Sequence, residues 1–154
     1  MNAAVAPEPV VAGDVLLGAD ELVATFVSRH IPGHAGFERY KAVGVLRKLA
    51  GRPTLIGGVV YHNWRGHDCE VSSAMLDGRW ARRGVLRALF NFPFNQLGCS
   101  RLTAITSAEN ADARKALVDQ GFAQEGLHRR GWHDGISDAV SYGMLREDCI
   151  WIRG

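Results

Sequence analysis

The side chains able to do chemistry are scattered along this chain rather than gathered in one motif. His30 and His34 stand four residues apart, and His67, Asp68 and Cys69 are consecutive, so together they would make a metal set if the fold joined them. Pro32 and Gly33 lie between the first pair and break the helix that would align it, and no metal site is expected. Cys69, Cys99 and Cys149 form no CxxC pair, which points to buried free thiols in a reducing compartment. Arg79, Arg82, Arg83 and Arg87 crowd the start of a helix-like run. They are either a solvated basic face or an anion site, because guanidiniums beside a helix N-terminus neutralise a phosphate. Arg129, Arg130, Trp132 and His133 are either a platform on which a base or aromatic substrate stacks, or a turn packed on the core. His62, inside "VVYHNW", is a candidate for substrate contact or a structural histidine.

The elements that must hold these groups follow from periodicity. The run "ADELVATFVSRH" spaces Leu22, Val23, Phe26 and Val27 as one helical face. "KAVGVLRKL" and "TLIGGVVYHNW" read as an antiparallel hairpin around "AGRP", with Gly57-Gly58 marking a bulge or a close backbone approach. "CEVSSAML" adds a third strand. "ARRGVLRALFNFPFNQLG" is a helix that Pro93 should kink, ending at Gly98. "RLTAITS" is a strand, "NADARKALVDQ" a helix capped by Asn110 and stopped by Gly121, and two strands finish the sheet. The order is helix, three strands, helix, strand, helix, two strands. The crossovers in the second half require a mixed sheet covered by helices, an α/β (α+β) class.

At 154 residues the chain is one domain's worth, read as a loose leader over 1–13, or an edge strand at most, and a single domain over 14–154. A net charge of +2 lacks the excess that announces a nucleic-acid binder. No apolar stretch approaches the length needed to cross a membrane, and a cytoplasmic protein without a membrane partner is expected. Ile150, Trp151 and Ile152 make an apolar tail that would dock on its own sheet or across a homodimer.

From Cys69 onward the pattern changes from composition to motif. Asn110 and Ala113, then Gly121-Phe122, Glu125-Gly126, Arg129, Asp138 and Tyr142-Gly143 follow at set distances, preceded by "FNQLGCSRLTA". Over about residues 70 to 148 the chain resembles the GNAT N-acetyltransferase superfamily, nearest the branch of ribosomal-protein-alanine and spermidine acetyltransferases. The resemblance implies a mixed, mostly antiparallel twisted sheet of six or seven strands flanked by helices, its two central parallel strands splayed. It also implies acetyl-coenzyme A as co-substrate, a thioester bound in the splay between "CEVSSAML" and "RLTAITS". Free strand-edge amides and carbonyls can grip a pantetheine arm as they would an added strand.

The resemblance carries residues with it. Met75 and Leu76 would bond the pantetheine, Asn110 and Ala113 would border it, and Arg82, Arg83, Gly84 and Val85 would hold the pyrophosphate at the helix start. The phosphate loop departs from the family's glycine pattern and admits a second register, in which Gly78 is kept and Trp80 replaces the next glycine. Glu70 sits where the family often keeps a general base. The tyrosine that protonates the departing thiolate is replaced by Leu117, leaving Ser107, Asn110 or solvent. His62, Arg129 and Trp132 fall on the acceptor side. The expected reaction is acetyl transfer to a primary amine, whether a protein N-terminus, a small polyamine-like amine or an aminated nucleobase. The ending "YGMLRE.C.W" is similar to phage acetyltransferase-like proteins, and so a Mom-type enzyme modifying adenine in DNA is a second expectation. A non-catalytic binding module is a third.

Overall fold

The computed structural model describes residues 8–153. They build one eight-stranded sheet from β1 (Val10–Ala12), β2 (Val15–Leu17), β3 (Lys41–Leu49), β4 (Arg52–Arg65), β5 (Asp68–Met75), β6 (Arg101–Ser107), β7 (Ala123–His128) and β8 (Ala139–Leu145). Three α-helices join them: α1 (Asp20–Arg29), α2 (Arg83–Asn91) and α3 (Ala111–Gln120). The strand order is β1-β2-β3-β4-β5-β6-β8-β7, and only the β5–β6 pair is parallel. The expected mixed, mostly antiparallel sheet is present with one strand more than the upper expectation. Beyond the six strands that periodicity gives, the β1–β2 hairpin adds two, each of three residues and too short to show a period in the sequence. Of the stretch expected as a leader, residues 1–7 lie outside the described residues and Val10–Ala12 pair with Val15–Leu17 at the sheet edge.

Alternation along β3 and β4 sends side chains to two covers. Ala42 and Val60 meet Val23, Ala24 and Val27 of α1, while Val43, Val45, Val59 and Tyr61 join Leu86, Leu89 and Phe90 of α2 in the larger core. Both readings of the Gly57-Gly58 pair hold. The β3–β4 register shifts beside Gly57, and a Cβ on Gly58 would run into Val23 of α1, so the missing side chain lets the helix sit down on the strand.

The second helix is interrupted at Pro93, where a kink is expected. After Asn91 the chain widens into a five-residue π-helical segment, Phe92–Gln96, in which the Leu97 amide donates to the Phe92 carbonyl at 3.0 Å. Pro93 has no amide to give the Leu89 carbonyl. Tyr61, fully buried on β4, donates its hydroxyl to that carbonyl at 2.6 Å. Tyr61→Phe therefore removes a buried donor and orphans a buried acceptor. The expected loss is about 1–3 kcal/mol of stability, read as a lower urea midpoint at unchanged slope.

Several of the motif residues hold the scaffold together. Asn110 Oδ1 accepts the Ala113 amide at 3.1 Å, and Gly121 ends α3 at φ +109°, with the Phe122 amide bonded to the Leu117 carbonyl. That corner drives Phe122 into the core. Glu125 pairs with Arg101 across β8, directly over Gly143, where any Cβ would collide with both. Arg114 pins α3 down by donating to the Tyr142 hydroxyl, the Ala108 carbonyl and Gln124. The apolar tail docks on its own chain: Trp151 and Ile152 pack against the core, and Trp151 Nε1 donates to the Gln120 carbonyl at 2.8 Å. Among the described residues, no helix is long and apolar enough to cross a membrane.

Candidate functional site

The cleft begins where two half-sheets part company. β5 and β6 pair only from Asp68–Arg101 to Val71–Ala104. At that base Thr103 donates to both carboxylate oxygens of Asp68, at 2.9 and 3.0 Å, and Arg101 lies 3.7 Å from the same carboxylate. Beyond Val71, Ser72 to Met75 stay paired with β4 alone, and Ile105 to Ser107 stay paired with β8 alone. The inner edges of both strands are thus left with main-chain groups facing a gap.

That gap is a cleft of about 570 Å³. Ser72, Ser73, Ala74, Met75 and Leu76 form one wall, and Ala104, Ile105 and Thr106 the other. Asn110, Ala113, Ala116, Leu117 and Gln120 line it from α3, a spacing that puts them on one helical face. The cleft can hold a thin, extended chain by its exposed strand edges.

At one end the cleft meets a second, open cavity of about 540 Å³, and Glu70 lines both. Its carboxylate accepts from Asn63 Nδ2 at 3.3 Å and lies 3.7 Å from His62 Nε2, which also sits 2.8 Å from the Ser72 hydroxyl. Burial holds His62 below the usual imidazole range despite the pull of Glu70, and His34 and His133 add to the lowering. Burial and then His133 lower His34 in the same way, against Glu70. His34 Nδ1 accepts the Gly36 amide at 3.0 Å, so the neutral ring carries its proton on Nε2. The rings of His34, Phe37, His62, Trp132 and His133 follow one another around Glu70 with centroids 4.2 to 5.1 Å apart. The result is a carboxylate set among aromatic rings, of which burial holds His34 and His62 toward the neutral form. Among the described residues, no group of three His, Cys, Asp or Glu could hold a metal ion, and all three cysteines are free and buried.

The remaining candidates are placed unevenly. Trp132 lines the cleft, whereas Arg129 is exposed and outside its lining. Ser107 is also outside, its hydroxyl accepting the Glu109 amide at 3.2 Å. Arg82 stands at the N-cap position of α2 and pairs with Asp14 at 2.8 Å; with Gly84 and Val85 it lines a separate groove of about 220 Å³ against the β1–β2 turn. The cleft lining reaches Trp80 in the same connection. Asp77 fixes that connection: its carboxylate accepts the Arg79 amide and the Arg79 and Arg47 guanidiniums, which hold it down at about 2. His34 and His133 were missed as a pair, because each is on a loop and no local spacing links them.

A sheet that opens between a parallel central pair, with one helix starting beside each of those strands' ends, is the fold of the GNAT acetyltransferases, and this chain has it. The ribosomal-protein-S5-alanine acetyltransferase of Vibrio fischeri matches with a TM-score of 0.59 and 20% identity, over 71% of this chain and 63% of its own length. A GNAT-family acetyltransferase of Bacillus anthracis matches with a TM-score of 0.65 and 18% identity, over 91% of this chain and 99% of its own. The spermidine N-acetyltransferase of Vibrio cholerae, a dodecamer, matches with a TM-score of 0.59 and 17% identity, over 70% of this chain and 66% of its own. The chain thus spans less than two thirds of the first and third of these. No protein-family model matches the sequence, and no curated protein matches it.

Proposed function

We propose that the protein is an N-acyltransferase that moves an acetyl group from acetyl-coenzyme A to a primary amine by direct attack. The observation that carries this reading is Glu70 standing at the junction of two cavities, one an edge-lined slot and the other an open, ring-walled pocket. The slot suits the thioester and the pocket suits the amine. An ammonium must lose a proton before it can attack a carbonyl, and Glu70 takes it directly or through water. His62 and His34, kept neutral by burial, add no positive charge to repel the amine. Asn110 borders the cleft with its Oδ1 committed to the α3 cap, which leaves its Nδ2 hydrogens to meet the departing thiolate. Ser107 is less suited, since it lies outside the cleft lining.

The start of α2 supplies the anion site. Arg82 has no capping side-chain bond to the helix, and no acidic residue occupies the first turn, so the first amides remain available to a pyrophosphate. Arg82 is already neutralised by Asp14, whereas Arg83 has no ion-pair partner among the described residues. Arg83→Ala is therefore expected to weaken acetyl-coenzyme A binding about tenfold and Arg82→Ala less, with the double variant at least tenfold down. Equal affinity in all three, by isothermal titration, would remove the α2 start from the site.

The acceptor is one of three amine classes: a protein N-terminus, a polyamine-like small molecule or an aminated nucleobase. Thiol release from acetyl-coenzyme A against a panel of the three tests the reaction. One class should accelerate release, with the acetylated amine found by mass. No acceleration by any, together with salt-sensitive retention of DNA, would favour modification of adenine in DNA instead.

A further inference from the structure

We infer that the protein carries a dry chamber for the tail of an acyl thioester longer than acetyl, opening off the side of the cleft; the inference rests on the acyl-transfer reading above. Between the sheet and the helices α2 and α3 lies a cavity of about 60 Å³. Its walls are largely apolar: Val59 and Val71 from the sheet, Leu89 and Phe90 from α2, Leu117 and Phe122 at the far end of α3. It is continuous with the cleft, since Val71, Ser73, Met75, Trp80, Leu117 and Gln120 line both spaces.

Three observations name the occupant. Half of the chamber's lining is shared with the space assigned to the thioester, so a group attached to that ligand can reach it. Tyr61, the fully buried hydroxyl of its wall, is spent on the Leu89 carbonyl, while Ser73 and Gln120 stand on the side shared with the cleft, and among the described residues no buried side-chain polar atom lacks a partner. Water therefore gains little by entering, and apolar cavities of this kind stay dry and accept apolar guests. The volume fits a short chain: one water-sized group needs roughly 10–15 Å³ on this measure, which leaves room for about four such groups. Leu117, standing where the resembled family has a tyrosine, keeps the mouth of the chamber apolar.

Isothermal titration of the whole chain with coenzyme A, acetyl-, butyryl-, hexanoyl- and decanoyl-coenzyme A tests the inference. Each methylene moved from water into an apolar site contributes a factor of about four, so butyryl-coenzyme A, two methylenes longer, should bind about fifteenfold tighter than acetyl-coenzyme A, with affinity falling again at decanoyl. Val59→Phe fills the chamber without touching the cleft lining and should abolish the gain; the smaller change Val59→Leu should reduce it in a chain that folds more readily. If coenzyme A binds but affinity is flat or declines from acetyl onward, the chamber takes no acyl tail and the acetyl-transfer reading stands. If neither coenzyme A nor any thioester binds, both fail together.

Discussion

Replacing Glu70 with Gln lowers kcat about a hundredfold while KM for the amine moves by less than a factor of three. The magnitude is that of a lost general base, for which about 10²–10⁴ in rate is usual. The substitution keeps size and shape, and the amide oxygen still accepts from Asn63 Nδ2. What it removes is the ability to hold a proton. Because that loss acts on the reacting ammonium and not on ground-state binding, kcat and kcat/KM fall together. His62, 3.7 Å away, is the group that could substitute. Its partial cover would show as residual activity in Glu70→Gln that disappears in a double variant with His62→Gln. Rates for Glu70→Gln equal to wild type at saturating substrate, at every pH tested, would remove the carboxylate from the mechanism.

Ala113→Trp closes the cleft. Ala113 sits in the first turn of α3 on the face that lines the slot, and it is half-buried there rather than locked in the core. An indole in its place projects between β5 and β6 where the thioester arm must lie. Affinity for acetyl-coenzyme A should fall at least a hundredfold. The α3 cap, made by the Asn110 side chain to the backbone amide at 113, survives the change. Stability should accordingly drop by no more than about 1 kcal/mol, the scale of an ordinary surface substitution with a poorer helix former. Undiminished affinity in a folded Ala113→Trp chain would place the ligand somewhere other than the splay.

The parts of this molecule that could be read before its coordinates are those that act locally. Asn110 and Gly121 bracket one helix by capping chemistry, and both do so in the structure. Glu125 and Gly143 are motif residues whose purpose was not legible. They meet only because β7 and β6 flank β8, so that an ion pair with Arg101 crosses the one position without a Cβ. The site is harder still, because its groups come from separate elements. Glu70 and His62 are cross-strand partners in the β4–β5 register, a pairing that the two runs hint at. His34, Phe37 and His133 reach them from loops that have no period. Pro93 was readable as a break but not as a π-turn, because its remedy, the Tyr61 hydroxyl, lies on another element. The same holds for Arg82: two neighbouring arginines look equivalent until Asp14, on a hairpin too short to detect, takes one of them.

The central claim is that the gap between β5 and β6 grips a coenzyme A thioester along its bare strand edges. Isothermal titration of the purified chain with acetyl-coenzyme A, beside the Ala113→Trp variant, tests it most directly. The account predicts saturable one-to-one binding to the wild type, a rise in thermal midpoint with ligand concentration, and the loss of both in the variant. No heat and no thermal shift in the wild type, or the same binding in both chains, would contradict it.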